Sequence, residues 1–221
     1  MNVIDALRQR KSTRAYLNKE VSRETIIRIL QAAGHSPSGT NAQPWQVAVV
    51  SGEKKRQLCA AMLAAFREKG VGEMDYGYYP EHWPEKCKKR RFACGTQLYA
   101  ALGIERKDRE RRVAQWEANY RAFDAPVMLF FFLDPLMEKG SFIDYGMFLQ
   151  SLMLAAVAEG LATCAQAALG QYPQLVKESL GYDQSNILLC GMALGYEDCA
   201  APVNQYRTPR EEVESFTRFF G

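Results

Sequence analysis

Apolar positions recur at helical spacing through the first third of the chain and then gather into unbroken runs in its middle and last quarter. Asn2 precedes Val3, Ile4 and Leu7 on one face, with Asp5 three residues after it, the pattern of a capped first helix. Ser22 opens a second helix with Glu24 in its first turn and Ile26, Leu30 and Ala33 on one face, and Gly34 stops it. Gln46 to Val50 is a short apolar run closed by Ser51-Gly52 and reads as a buried strand. Leu58, Met62 and Phe66, four apart, predict a helix from Glu53 to Lys69 that ends at Gly70.

Residues 71 to 86 break the pattern. Gly72, Gly77, Pro80 and Pro84 interrupt regular structure, while Tyr76, Tyr78, Tyr79 and Trp83 are too aromatic for a disordered segment. Helical stretches are expected over Lys88 to Leu102 and Arg106 to Arg121. Val127 to Leu133 is wholly apolar and predicts a central strand. An apolar helix from Phe142 to Glu159, a strand from Ala162 to Ala167, a helix from Pro173 to Gly181 and a strand from Ile187 to Leu194 complete the core. Thr208-Pro209-Arg210-Glu211 reads as a capping box opening a last helix. Strands and helices mix without strict alternation, so the expected class is α+β, one mixed sheet covered by helices.

The 221 residues suffice for a well-buried core, and the expectation is a single domain over residues 1 to 221. A net charge of +3 on dispersed Lys and Arg argues against a nucleic-acid partner. The most apolar stretch, Tyr145 to Leu161, carries Gln150 and Glu159 and reads as a core helix instead of a membrane span. Six cysteines without a C-x-x-C pair, together with the lack of a leader-like N-terminus, predict reduced thiols in the cytoplasm. Two histidines far apart give no basis for a metal site.

Phosphate loops, nucleophile elbows and acid–base pairs are missing, which points to chemistry carried by a cofactor that the protein positions. Two polar segments look built for holding it. Arg10-Lys11-Ser12-Thr13-Arg14 puts cations beside a hydroxyl at a helix end, and Arg10 has the planar fork that suits a phosphate. Ser36-Pro37-Ser38-Gly39-Thr40-Asn41-Ala42-Gln43-Pro44-Trp45 packs hydroxyls, amides, Gly and Pro into a turn before an aromatic plane. A flavin mononucleotide, FMN, fits such a set: phosphorylated, flat and rich in hydrogen-bonding edges.

In their order along the chain, these segments resemble the FMN-dependent nitroreductase family, in its oxygen-insensitive, nitrobenzoate-reductase-like branch. The further matches are Ala125-Pro126, Gly160 to Ala168, Cys190 to Tyr196 and Asn204 to Arg210. The resemblance implies a mainly antiparallel sheet flanked by helices, in an intertwined homodimer with FMN at the subunit interface. It assigns the phosphate side to Arg10, Lys11, Ser12 and Arg207, with Arg210 as a second C-terminal cation, and the pyrimidine edge of the ring to Arg14. Pro37, Ser38, Gly39 and Asn41 would reach the flavin from the partner subunit, and Gln166, Ala167 and Ala168 would lay backbone over the ring. Where many relatives carry another basic residue before the arginine matching Arg207, this chain has Gln205 and Tyr206.

The implied activity is ping-pong, two-electron hydride transfer from NADPH or NADH, through FMN, to a small nitroaromatic or quinone-like acceptor. A helical and aromatic lid insertion at about 66–123 is expected to cover the flavin, with Tyr78, Trp83, Trp116, Tyr120 and Phe123 facing the acceptor. Reductive dehalogenation, flavin cleavage and non-catalytic FMN storage are the competing readings on the same scaffold.

Overall fold

A computed structural model describes all 221 residues. Four strands, β1 (Gln46–Ser51), β2 (Val127–Leu133), β3 (Ala162–Gln166) and β4 (Ile187–Gly195), form one sheet in the order β1-β2-β4-β3. All three pairings are antiparallel, with Gln46 opposite Phe132, Val127 opposite Leu194 and Ala162 opposite Gly195. The sheet is therefore less mixed than expected. Its parallel component is a single bridge between Ser12 and Thr163.

Seven helices surround the sheet: α1 (Val3–Gln9), α2 (Arg23–Gly34), α3 (Gly52–Lys69), α4 (Glu85–Ala101), α5 (Arg109–Tyr120), α6 (Gly140–Ala158) and α7 (Pro173–Leu180). Strand β2 is buried on both faces, and the two-residue period of its side chains divides the core in two. Val127, Leu129, Phe131 and Leu133 pack with Ile29, Tyr145, Phe148 and Leu152 from α2 and α6. Met128, Phe130 and Phe132 pack with Leu58, Met62, Tyr120 and Val176 from α3, α5 and α7.

The helix caps follow the sequence. Asn2 Oδ1 accepts from the Asp5 N–H at 2.9 Å, and Ser22 Oγ accepts from the Thr25 N–H at 3.2 Å. Helix α5 starts three residues later than expected because Asp108, not an earlier residue, caps it by accepting from the Arg111 N–H. The capping box at Thr208 opens no helix. Thr208 Oγ1 is taken by the Arg210 guanidinium at 2.8 Å, and Glu211 pairs with Arg90 on α4 at 2.8 Å, so neither side chain is left to cap backbone. The segment instead lies extended and is followed only by a 3-10 turn, Val213–Ser215.

Helix α6 is long and apolar enough to cross a membrane on length and composition alone. Its Tyr145, Phe148, Leu152 and Ala156 are core residues, yet Ile143 on the same helix is 70% exposed. Helix α4 buries none of its residues. The aromatic loop ahead of it is tied down at its base. Lys177, 2% exposed on α7, donates to both Asp75 carboxylate oxygens at 3.1 and 3.2 Å, and Tyr76 Oη donates to the Leu189 carbonyl at 2.8 Å. Past that anchor Tyr79 stacks edge-on against Tyr78 and tilts over Trp83, with Arg91 of α4 over both Tyr79 and Trp83.

Candidate functional site

Helix α1 is short, and the chain leaves it at Arg10 in an extended conformation. It then runs beside β3, where Ser12 bridges Thr163 and the Thr13 N–H donates to the Thr163 carbonyl at 3.0 Å. That docking fixes the side chains of residues 10 to 14 along the sheet's edge. The C-terminal segment closes over them. Asn204, 3% exposed, is the clasp. Its Oδ1 accepts from the Arg14 N–H at 2.9 Å, and its Nδ2 donates to the carbonyls of Ala15 and Asp198 at 2.9 Å.

Between the two segments lies a cavity of about 430 Å³ lined by Arg8, Arg10, Lys11, Ser12, Arg14, Arg207 and Arg210, with Leu7, Cys94, Tyr206 and Thr208. Six of these side chains are cationic and none is acidic. Lys11 is neutralised from behind, by Glu197 at 2.5 Å and the Asn204 carbonyl at 2.6 Å. Arg207 straps the end of α1, donating to the carbonyls of Arg8 (2.6 Å), Gln9 and Arg10 (3.2 Å). Arg210 turns back on Thr208 and Pro209. Arg10 makes no such bond. Burial first, then the like charges of Arg210 and Arg207, lower its pKa from the usual arginine value. An unpaired, half-buried guanidinium among other cations is a receptor for an anion, and a phosphate satisfies fork geometry and charge together. The donor set thus fits the phosphate end of a flavin mononucleotide.

Arg14 extends from the same strip. Its guanidinium donates to the Ser12 carbonyl at 3.2 Å and lies 5.9 Å from the centre of the Phe123 ring. Phe123 sits in a turn, Ala122–Asp124, in which all three residues are left-handed with φ of 52°, 53° and 60°. None is glycine, so each costs about 1–2 kcal/mol. Thr40 and Asn41, in the turn Gly39–Asn41, are left-handed as well. Strain of this kind persists where the surroundings impose it, often at binding sites.

At the end of β3, Gln166 is buried and donates through Nε2 to the Asn119 carbonyl at 3.1 Å, while its Oε1 has no partner. Ala167 and Ala168 begin a 3-10 turn held against β4 at Gly191. A Cβ added there would stand 2.6 Å from Leu169, so only glycine lets the turn approach so closely. Cys164, beside this turn, is buried, and burial raises its thiol pKa, which suits packing and not nucleophilic attack.

Pro37, Ser38, Gly39 and Asn41 do not join the cationic cavity in one chain. The Gly39 N–H donates to Asp144 near the start of α6, whereas Arg10 and Lys11 share a second cavity wall with Val157 at its end. Thirteen residues separate Asp144 from Val157, about 20 Å at 1.5 Å per residue. Of the aromatic residues expected to face an acceptor, Tyr78 and Trp116 are exposed and Trp83 is half-buried. Tyr120 and Phe123 are core residues instead. The Tyr120 hydroxyl donates to Gln171 Oε1 at 2.7 Å and accepts from the Trp116 indole at 3.3 Å.

A model of the nitroreductase family matches residues 7–196. The chain belongs to the nitroreductase family. It is 37% identical to a 4-nitrobenzoate reductase of Pseudomonas putida over 212 residues, 96% of this chain and 92% of that protein. The crystal structure of the FMN- and NADPH-dependent nitroreductase NfnB of Sphigopyxis sp. strain HMH superposes with a TM-score of 0.97 at 38% identity, all of both chains covered. NfnB of Mycobacterium smegmatis in complex with NADPH superposes with a TM-score of 0.93 at 35% identity, again over both full chains.

Two features of this nitroreductase site escaped the reading of residues one by one. Asn204 as clasp had no local signal beyond an amide in a matching segment, because two of its three side-chain partners, Arg14 and Ala15, lie at the other end of the chain. Arg207 as a helix strap was hidden behind its resemblance to a phosphate ligand.

Proposed function

We propose that this chain is an FMN-dependent NAD(P)H oxidoreductase that reduces nitroaromatic or quinone-like acceptors. The observation that carries the reading is the acid-free cationic cavity at the end of α1, in a chain of the nitroreductase family. When bound, FMN supplies two-electron hydride chemistry between a reduced nicotinamide and an electron-poor acceptor.

The chain's own residues bind and orient. Arg10 and Ser12 hold the phosphate, with Arg207 fixing the backbone that carries Arg10. Arg14, its backbone clasped by Asn204, places a cation at the ring's polar edge, where it stabilises negative charge gained on reduction. Gln166, Ala167 and Ala168 offer a rigid backbone platform, and the exposed Tyr78 and Trp116 with Trp83 offer aromatic faces to a flat acceptor.

The working unit in this reading is a homodimer. The turn at Pro37 to Asn41 is anchored at the start of α6 and Arg10 lies by its end, points about 20 Å apart along the helix axis, which supports a reading in which the two sets meet one flavin through two chains. Val3, Ile4, Ile143, Phe216, Phe219 and Phe220 are exposed apolar side chains suited to such an interface.

The test is the visible spectrum of FMN-loaded protein, freed of unbound flavin, during anaerobic addition of NADPH or NADH and then 4-nitrobenzoate. Bleaching by the nucleotide and recovery with the nitroarene are expected. Protein that retains no flavin, or flavin that neither nucleotide bleaches, refutes the proposal.

A further inference from the structure

The end of α5 is tied to the turn after β3 on both sides of that turn. Before it, Gln166 Nε2 donates to the Asn119 carbonyl at 3.1 Å and to Asn119 Oδ1 at 3.3 Å. After it, Gln171 Oε1 accepts from the Tyr120 hydroxyl at 2.7 Å. Both ties converge on Trp116, one helical turn earlier. Its carbonyl accepts from Asn119 Nδ2 at 3.0 Å, and its indole N–H donates to Tyr120 Oη at 3.3 Å. Tyr120 is fully buried, with its ring 5.1 Å from Phe66 of α3 and 5.5 Å from Tyr172. Arg67 of α3 adds a bidentate pair to Glu117 of α5 at 2.7 and 2.9 Å. Trp116 therefore keeps a face open to solvent, at 40% exposure, while a buried hydroxyl fixes its ring. Ordering a side chain that stays exposed costs rotamer freedom and buries little apolar area in return. Such an arrangement suits a face on which something flat is to lie.

We propose that Trp116 is the aromatic face that selects the acceptor and that Tyr120 is its positioning residue, holding the indole at a fixed place relative to the platform at 166–168. The inference rests on the oxidoreductase reading above. Two observations put the end of α5 beside the ring end of the site. Its ties run to the segment that carries the platform, and Arg14 stands 5.9 Å from Phe123, three residues beyond Tyr120. Tyr78 and Trp83 differ from Trp116 in this respect. Their ring contacts are to Tyr76, Tyr79 and Arg91, all within the aromatic loop and α4. The chemistry of the occupant follows from the indole. An electron-rich ring stacks best, in an offset arrangement, on an electron-poor one, so the favoured acceptor is a flat arene carrying withdrawing groups. The Tyr120 hydroxyl touches no acceptor and acts only through the indole it holds and the Gln171 amide that holds it.

The experiment titrates FMN-loaded protein with 4-cyanobenzoate, a flat electron-poor arene without a nitro group, and follows the visible difference spectrum of the oxidised flavin. Parent, Trp116→Leu, Tyr120→Phe and the double variant are compared. Trp116→Leu is expected to weaken binding by about tenfold or more, and Tyr120→Phe by about 3- to 10-fold. In the Trp116→Leu background, Tyr120→Phe is expected to add less than about twofold, because the hydroxyl has lost the ring it positions. Gln171→Met, which takes away the hydroxyl's acceptor without touching the core ring, is expected to weaken binding in the same direction as Tyr120→Phe. In steady state Tyr120→Phe is expected to raise KM for 4-nitrobenzoate with kcat within about twofold. Parent-like binding in Trp116→Leu, an equal loss from Tyr120→Phe in both backgrounds, or no binding to protein that retains FMN overturns the proposal. Because the titration needs no turnover, flavin that neither nucleotide bleaches would sink the oxidoreductase reading while the roles of Trp116 and Tyr120 are judged on binding.

Discussion

Arg10 and Arg207 line the same cavity, yet replacing each with alanine is expected to move FMN-free stability in opposite directions. Arg207 makes its bonds to three carbonyls at the end of α1. Losing such a strap from an exposed arginine costs about 1–2 kcal/mol. In a domain of this size that lowers Tm by about 2–8 °C. Arg10 has no internal partner, and burial first, then the neighbouring Arg210 and Arg207, lower its pKa. Its removal relieves repulsion, so the Tm of the FMN-free Arg10→Ala protein is expected to equal or exceed that of the parent. Affinity for FMN reads the other way. A charge-assisted bond to phosphate contributes about 1.5–3 kcal/mol, so Arg10→Ala is expected to raise the FMN Kd by about 10- to 150-fold. The assay pairs thermal melts of FMN-free protein with fluorescence titration of FMN. An Arg10→Ala protein that melts several degrees early without flavin, or binds FMN as the parent does, would show that this side chain is structural.

Four further outcomes are expected. Lys177→Met leaves the half-buried Asp75 carboxylate with the Leu188 N–H but without its cation and costs about 2–4 kcal/mol in urea unfolding, whereas adding Asp75→Leu recovers much of that loss. Gly191→Ala drives a methyl group into Leu169 and costs about 1–3 kcal/mol, visible as a lower Tm, while a Tm equal to the parent's would refute the close packing of the 167–170 turn. Iodoacetamide at pH 8 is expected to label the exposed Cys94 and Cys199 and to spare Cys190, whose pKa burial pushes up to about 12, with FMN slowing the labelling of Cys94 in the cavity wall. Ile143→Asp adds an acid to the first turn of α6, which that helix end tolerates, so a monomer that folds but fails to hold FMN is expected by gel filtration, and an unchanged dimer would place the interface elsewhere.

Strands β2 and β4 were legible in the sequence because burial on both faces leaves an unbroken apolar run. Helices α1 and α2 were legible because Asn2 and Ser22 cap locally. The Thr208 segment was misread because its pattern is local while its partners are not. Arg210 and the distant Arg90 capture the two side chains a capping box requires. Tyr120 and Phe123 were read as acceptor-facing from their position in an aromatic stretch. Their burial depends on α3 and α7 packing over them, and on a left-handed turn that no glycine announces. The cationic strip at residues 10 to 14 was visible in the sequence. Which of its charges is free was not, since that depends on Glu197, Asn204 and the carbonyls of α1.

That distinction bears on how the site and the fold depend on each other. The cavity is assembled from residues 7 to 14, from Cys94 on α4 and from residues 206 to 210, so it exists only once both ends of the chain are docked. Docking brings Arg10, Arg207 and Arg210 together without a carboxylate to balance them, and the turn under Arg14 holds three strained residues. Both features cost stability in the protein alone, and a bound dianion offsets the first directly. Ligand that binds only the folded state stabilises it by RT ln(1 + [L]/Kd), about 2.7 kcal/mol at a hundredfold excess over Kd. A site arranged this way makes FMN part of what keeps the two chain ends closed, so the segment at residues 204 to 210 is where loosening on flavin loss is expected first.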